Sequence, residues 1–342
     1  ITASNSGNGG DLTLKAGRSV LVNASITTDN GDLTLTANET TSNGVVDAER
    51  DSGAAVITLG AAIDTGTGAF TLTIAAGTGK SERASGDITL SSVTAGSLVV
   101  ANNGPTSNSN IEDNGVLDIA GTSSFTTSEN HSTITLDQAN EFTGAVSLNT
   151  IGSNGDVLVD NGTTALDIAA STVGGDLTLI SGAAAGITDS GAVSVTGNLS
   201  ATTDANSGVI NMGTLEVNGT IALTTDGDGD ATIVNDDDIN FATSIVRGDL
   251  TATATTSNIT DTGTLTITGE STFITRVDGS DIELDTSDNA FADAVTMKAE
   301  TNGSEAFGDI TFVDSGGAVN FNSSGSSDGD LNINASSTNG AV

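Results

Sequence analysis

The stretch NGDLTLTAN, residues 30–38, contains the motif that decides the fold. Gly-Asp is followed by an apolar residue, a polar residue and a second apolar residue, bounded by turn-forming residues. Such alternation over five residues is typical of a half-buried β-strand with a turn at each end. The nine copies of this motif, some of them loose, begin at Gly10, Gly31, Gly86, Gly155, Gly175, Gly229, Gly248, Gly308 and Gly329. The sequence therefore predicts a repeated strand rather than a local site.

The composition excludes several classes of protein. The 342 residues include 43 Gly and one Pro but no Cys, Trp or Tyr, and 44 acidic residues against 8 basic ones give a formal net charge of -36. This charge repels nucleic acid and anionic lipid, and it attracts divalent cations or basic partners. Few aromatic residues and high charge are also typical of disorder. A hydrophobic fraction of 36%, arranged in short alternating strings, instead indicates folded strands.

The repeats occur at two scales. The first two Gly-Asp motifs lie 21 residues apart, and further along the chain a unit of about 74 residues takes over. Its copies begin near Ile111, Ile187 and Ile259, with IEDNGVLDIAGTSSFTT, ITDSGAVSVTGNLSATT and ITDTGTLTITGESTFIT. We predict short repeats over residues 1–105 and three long units over 106–342, in one continuous solenoid cut from a longer chain.

This pattern predicts an all-β fold, a parallel β-helix or β-solenoid with turns of about 21–25 residues. Each solenoid turn buries its Leu and Ile against the turns above and below, and its backbone pairs with both. Thr, Ser and Asn are expected on the outside and at the corners, where stacked side chains form hydrogen-bonded columns. Sandwich domains of about 75 residues are the alternative fold, but they usually need bulky aromatic core residues.

The repeats resemble a known family. GGDLTLKAGRSVLVNASITTDNGDLTLTAN, residues 9–38, is similar to the repeats of the filamentous haemagglutinin family of long secreted adhesins. The later ITDSGAVSVTG, ITLDQANEFTGAV and ALDIAASTVGGDLTL resemble the repeats of giant bacterial surface proteins. The resemblance covers nearly the whole chain and implies a right-handed parallel β-helix. A right-handed path also agrees with the general preference of parallel connections.

The segment TDGDGDATIVNDDD is the main candidate for metal binding. Asp226, Asp228 and Asp230 stand at alternate positions and, with Asp237, could turn carboxylates toward one calcium ion. An EF-hand loop would have Gly at its sixth position and usually Glu at its twelfth, whereas this segment has Ala and Asp. The sequence requires no cofactor, and Ca²⁺ is the one that it suggests.

Shorter motifs give weaker indications. RGD at residues 247–249 matches an integrin ligand, but the repeat itself imposes the Gly-Asp. GTGKS at 77–81 lacks the earlier Gly that a P-loop needs, and the basic GKSERAS that overlaps it predicts a projecting loop. His131 is the one histidine, so a His-based triad has no support. A β-helix enzyme acting on polysaccharide normally has aromatic platforms and clustered Arg or Lys, which this chain lacks.

The sequence favours a structural function without catalysis. We expect a stalk or fibre segment of a giant, adhesin-like protein, located outside the cell or on its surface. The alternatives are a subunit of an end-to-end β-solenoid filament, a calcium-dependent matrix module and, last, a polysaccharide-acting β-helix enzyme. The expected partners are copies of the chain end to end, neighbouring repeats, or a host-cell or glycan surface, without nucleic acid or membrane insertion.

Overall fold

The computed structural model of the chain describes residues 9–39, 51–76, 84–299 and 308–315, and the backbone of 321–323 and 331–335. These residues form short parallel β-strands stacked in about 12 solenoid turns of about 23 residues, with no helix. The predicted all-β solenoid is confirmed. In the described part of the chain, no helix is long and apolar enough to cross a membrane. GTGKS and the basic residues that follow it, up to residue 83, lie outside the described residues.

The chain divides into two compact units, Ile1–Leu177 and Thr178–Val342. This division differs in kind from the sequence-based one at residues 105 and 106, because it follows packing rather than the length of the repeat. The sequence-based boundaries stay a prediction. Each unit is described by itself below.

In the first unit, all turns of the solenoid but the last visit three faces in the same order. Its strands are β1 (Leu12–Lys15), β2 (Val20–Val22), β3 (Ile26–Thr27), β4 (Leu33–Ala37), β5 (Ala55–Leu59), β6 (Ile63–Asp64), β7 (Ala69–Ile74), β8 (Ser85–Leu90), β9 (Val93–Ala95), β10 (Ser97–Asn102), β11 (Ile111–Asp113), β12 (Leu117–Ile119), β13 (Ser123–Thr127), β14 (Ile134–Leu136), β15 (Glu141–Phe142), β16 (Val146–Asn149), β17 (Val157–Asp160), β18 (Leu166–Ile168) and β19 (Ser171–Val173).

Three parallel ladders connect β1 to β17, and β18 and β19 both pair with β16. The first contains β1, β4, β7, β10, β13 and β16, the second β2, β5, β8, β11, β14 and β17, and the third β3, β6, β9, β12 and β15. Residues paired in the first ladder lie 21 residues apart at Leu12 and Leu33, but 37 apart at Leu33 and Phe70. Some turns of this unit are therefore longer than the predicted 21–25 residues. Extra residues are inserted between strands while the ladder keeps its register.

The second unit has the same construction. Its strands, of which β20 begins at the last residue of the first unit, are β20 (Leu177–Ser181), β21 (Ile187–Asp189), β22 (Val193–Val195), β23 (Leu199–Thr203), β24 (Ile210–Val217), β25 (Thr220–Thr224), β26 (Ala231–Asn235), β27 (Ile239–Phe241), β28 (Ser244–Val246), β29 (Leu250–Ala254), β30 (Ile259–Asp261), β31 (Leu265–Ile267), β32 (Ser271–Thr275), β33 (Ile282–Leu284), β34 (Ala290–Phe291), β35 (Val295–Ala299), β36 (Ile310–Asp314), β37 (Phe321–Ser323) and β38 (Leu331–Ala335).

Three ladders also run through the second unit. In the first, β24 pairs with both β21 and β22, and β26, β29, β32, β35 and β37 follow. In the second, β23 and β25 precede β27, β30, β33, β36 and β38. The third ladder begins at β25 and continues through β28, β31 and β34. Paired residues lie between 19 and 28 residues apart.

The long sequence repeat is not a whole number of solenoid turns. Ile187 is paired with Ile210, and the next two partners in this ladder are Ala231 and Leu250, so three turns take 63 residues. The residue equivalent to Ile187 in the next repeat is Ile259, which lies in the following strand and in a different ladder. From Ile187 to Ile259 the chain therefore advances by three turns and one further strand.

The core is a column of inward-facing aliphatic side chains interrupted by phenylalanines. In the second unit Phe241, Phe273 and Phe291 are buried and stack edge to face, with ring centroids 6.1 Å apart in both pairs. Edge-to-face pairs add stability beyond the area that they bury. The rings come from different faces of successive turns, so they tie the faces together through the interior.

We predict that Phe273→Ala destabilises the second unit by about 3–5 kcal/mol, because it removes the ring that contacts both neighbours and leaves a cavity. Thr272→Ala, on the outward side of the same strand, is the control and should change stability by less than about 0.5 kcal/mol. Chemical unfolding followed by circular dichroism measures both. Equal effects of the two substitutions would contradict the described packing.

Candidate functional site

The Gly-Asp motif forms a corner in which one solenoid turn is bonded to the next. The backbone N–H of Asp249 donates to Oδ1 of Asp230, one turn before it, at 2.8 Å. The N–H of Glu270, one turn further on, donates to Oδ1 of Asp249 at 2.8 Å. Each aspartate therefore satisfies a backbone donor that would otherwise face solvent at the corner, where the strand ladder is interrupted.

The same contact recurs along both units. Aspartate Oδ1 atoms accept from the next turn at 2.7–3.0 Å in five further pairs, Asp11 with Asp32, Asp32 with Ala69, Asp87 with Asn110, Asp156 with Asp176 and Asp281 with Asp309. Asparagine replaces aspartate as the acceptor at Asn110, Asn198 and Asn258. The side-chain oxygen, rather than the negative charge, is thus the shared requirement.

The glycine of the motif is explained by the same carboxylate. A Cβ atom built on Gly248 would lie 2.2 Å from Oδ1 of Asp230, and one built on Gly269 would lie 2.3 Å from Oδ1 of Asp249. Gly175 meets Asp156 in the same way at 2.1 Å. The aspartate of one turn occupies the space beneath the next glycine, so Gly and Asp are required together.

A second kind of corner buries an aspartate against an asparagine. Oδ1 of Asp113 accepts the backbone N–H of Asp137 at 2.9 Å, and its Oδ2 accepts Nδ2 of Asn140 at 2.8 Å. Oδ1 of Asn140 in turn accepts the N–H of Leu117 at 2.8 Å. Asp113 is 4% exposed and Asn140 is fully buried. The pair closes the corner between β14 and β15.

The third long repeat contains the same pair, formed by Asp261 and Asn289. Nδ2 of Asn289 donates to Oδ2 of Asp261, and Oδ1 of Asn289 accepts the N–H of Leu265 at 2.8 Å. Burial raises the pKa of Asp113 to about 6 and also raises the pKa of Asp261, although the hydrogen bonds from the asparagines oppose this shift. Sequence reasoning placed Asn at exposed corners and missed this buried pair.

The four candidate calcium ligands occupy an acidic corner. Asp226, Asp228 and Asp230 are exposed, and Asp237 is partly buried. Asp230 bonds to the next turn, as described above, and Oδ1 of Asp237 accepts the N–H of Asp238 at 2.9 Å. Within the described ranges, no group of three or more His, Cys, Asp or Glu is placed to hold a metal ion. Calcium binding here stays a prediction.

The remaining candidate motifs follow the repeat. Arg247 of the RGD sequence is exposed, and its N–H donates to Oγ1 of Thr225 at 2.9 Å, while Gly248 and Asp249 form the corner described above. His131 is exposed in a turn, with a positive φ of 60°. Neither residue is joined to a group of catalytic side chains by the described contacts.

Comparison with known families identifies the repeat. A model of repeats of unknown function, DUF5649, matches residues 76–149, 154–211 and 228–298, which is more than half of the chain. The chain belongs to the DUF5649 repeats. No curated protein and no solved structure matches it. The DUF5649 copies begin 78 and 74 residues apart and each contains a Gly-Asp motif, so the family unit is the long repeat found in the sequence.

The DUF5649 match supports a repeat β-solenoid and carries no indication of an adhesin. The resemblance to filamentous haemagglutinin repeats therefore stays a prediction. All three DUF5649 copies contain the Gly-Asp corner in the structure, and the first and third also contain the buried aspartate–asparagine corner.

We predict that Gly248→Ala destabilises the protein by about 1–3 kcal/mol, because the added methyl group displaces the Asp230 carboxylate from its hydrogen bond. Gly10→Ala is the matched control, since the same motif there leaves open space around a Cβ atom. It should be neutral or slightly stabilising. The contact is refuted if thermal unfolding shows equal losses for the two variants.

The buried aspartate should make stability depend on pH. Because the pKa of Asp113 is raised to about 6 from 3.8, the folded state binds this proton more tightly than the unfolded chain. The resulting stabilisation is complete below the unfolded pKa and is lost as the pH rises through the folded one. We therefore expect acidification from about pH 7.5 to about pH 5 to raise the melting temperature more in the wild type than in Asp113→Asn.

Asp118→Asn is the control for this measurement, since it removes the same formal charge from an exposed position in the next strand. It should keep the pH dependence of the wild type. If Asp113→Asn keeps it as well, Asp113 does not titrate in the way that its burial implies.

Proposed function

We propose that this structural repeat protein is a stalk or fibre segment of an extracellular, surface-exposed protein, and that it spaces or displays other parts rather than catalysing a reaction. The observation that carries the proposal is the use of the repeated polar side chains. Asp249 and its equivalents bond the backbone of the neighbouring turn instead of converging on one site.

This arrangement suits a mechanical role. Every strand from β26 to β32 in the first ladder of the second unit is paired on both sides. The Gly-Asp corner adds a bond between successive turns where the ladder is interrupted. Bending one turn against the next must therefore break both strand and corner bonds. The chain has no Cys, so it can hold this structure in an oxidising or a reducing medium without disulfides.

The surface charge is consistent with a segment that stays separate from its neighbours. The formal net charge of -36 is carried largely by exposed Asp and Glu, among them Asp118 and Glu141 on adjacent strands of the first unit. Like charge on two such segments opposes their lateral association. The same charge does not oppose association that is bridged by cations or that occurs between the ends of two solenoids.

The location can be tested with antibodies raised against the purified 342-residue chain. We expect them to label intact, unpermeabilised cells of the organism that produces the protein, and brief treatment of those cells with a protease should remove the signal. An antibody against a cytoplasmic protein serves as the control for intact membranes. Labelling that appears only after permeabilisation would refute an extracellular stalk.

A further inference from the structure

A groove opens on the second unit where β24 breaks its register with β26. The paired residues change register between Met212 and Leu215, so the backbone at Gly213 and Thr214 forms a bulge. The groove beside this bulge encloses about 340 Å³ and crosses four successive turns, from Ala192 to Thr255. Its volume lies within the range of about 300–1,000 Å³ that is usual for ligand pockets.

The groove exists because the middle repeat has a shorter corner than its relatives. ITLDQANEF, from residue 134, and IELDTSDNAF, from residue 282, both place an asparagine two residues before phenylalanine. Those asparagines, Asn140 and Asn289, are buried and fill the corner. The equivalent INMGTLEV, residues 210–217, is one and two residues shorter and has Leu215 in that place.

The shortened corner is held in place by an aspartate. Asp189 is the equivalent of Asp113 and Asp261, which bond the corner asparagines. Here its carboxylate accepts the N–H of Gly213 at 2.8 Å, and the N–H and Oγ1 of Thr214 at 2.7 Å each. These three hydrogen bonds fix the bulge, so the groove is formed before any ligand arrives.

The lining combines an apolar floor with an acidic rim. Ala192 is exposed and Val234 is half-buried, while Leu215 is 1% exposed and belongs to the core. Glu216 and Asp236 are exposed at the rim. The Glu216 carboxylate accepts no hydrogen bond from any described residue, and Asp236 accepts one from the hydroxyl of Thr255. No Lys or Arg of the described part of the chain lines the groove.

We propose that this groove binds a lysine or arginine side chain of a partner protein. The aliphatic stem of such a side chain packs along Ala192 and Val234, and its cationic head lies between the carboxylates of Glu216 and Asp236. Charge complementarity selects this occupant, because both rim groups are acidic and the whole chain attracts cations. The proposal concerns a docking site and holds whether or not the chain is a stalk.

The test is the affinity of the full chain for a dye-labelled tetralysine peptide, measured by fluorescence anisotropy at moderate salt. Glu216→Gln with Asp236→Asn should weaken binding about tenfold. Asp118→Asn with Glu141→Gln is the matched control. It removes the same formal charge from an acidic pair on paired strands of the first unit, neither of which lines the groove, and it should change the affinity less than twofold.

A third variant separates shape from charge. Val234→Trp fills the floor of the groove from an outward-facing position and leaves the charge unchanged, so it should also weaken binding, while circular dichroism confirms an intact fold. Equal losses in the two charge variants, or no loss in Val234→Trp, would show non-specific attraction to an acidic chain and overturn the proposal. Failure of the wild type to bind, or equally tight binding of free spermidine, would overturn it too.

Discussion

The hydrogen bond from a backbone N–H to the aspartate of the preceding turn is the contact on which the solenoid corners depend. In strands, parallel pairing satisfies the backbone on both sides, but at a corner the chain changes direction and the ladder stops. Asp230 and Asp249 provide the missing acceptor, and the glycine that follows one turn later provides the space for it. One dipeptide therefore solves a steric and a hydrogen-bonding problem together, which explains why it varies so little between copies.

Much of the fold could be predicted from the sequence, because its decisive signals are local. The alternation in LTLTA defines a strand with one buried side, and the recurrence of that strand requires neighbours of the same kind. The corners could not be predicted in the same way. Asn140 lies 27 residues from Asp113, and only the stacking of turns brings them together. A polar residue next to a turn looks exposed until its distant partner is known.

The candidate calcium segment also has contacts that local reasoning does not reveal. Asp226, Asp228 and Asp230 alternate along the chain and look like a group of ligands. In a solenoid, however, the nearest neighbour of a corner residue is its counterpart in the next turn, and Asp230 directs its carboxylate to Asp249. An acidic side chain that is close to others in sequence can thus bond to the next turn rather than to them. The groove beside β24 could not be predicted either, because it forms where the corner of the middle repeat is shorter than the corners of the other repeats.

The extra strand between Ile187 and Ile259 in the second unit has a consequence for how the surface is presented. Ile187 and Ile259 are equivalent in sequence but lie in different ladders, so one repeat is rotated against the next by about one face of the three. Outward residues that accompany them therefore face different sides of this unit. The same surface chemistry is repeated on more than one side, and a partner that recognises it can approach from more than one direction.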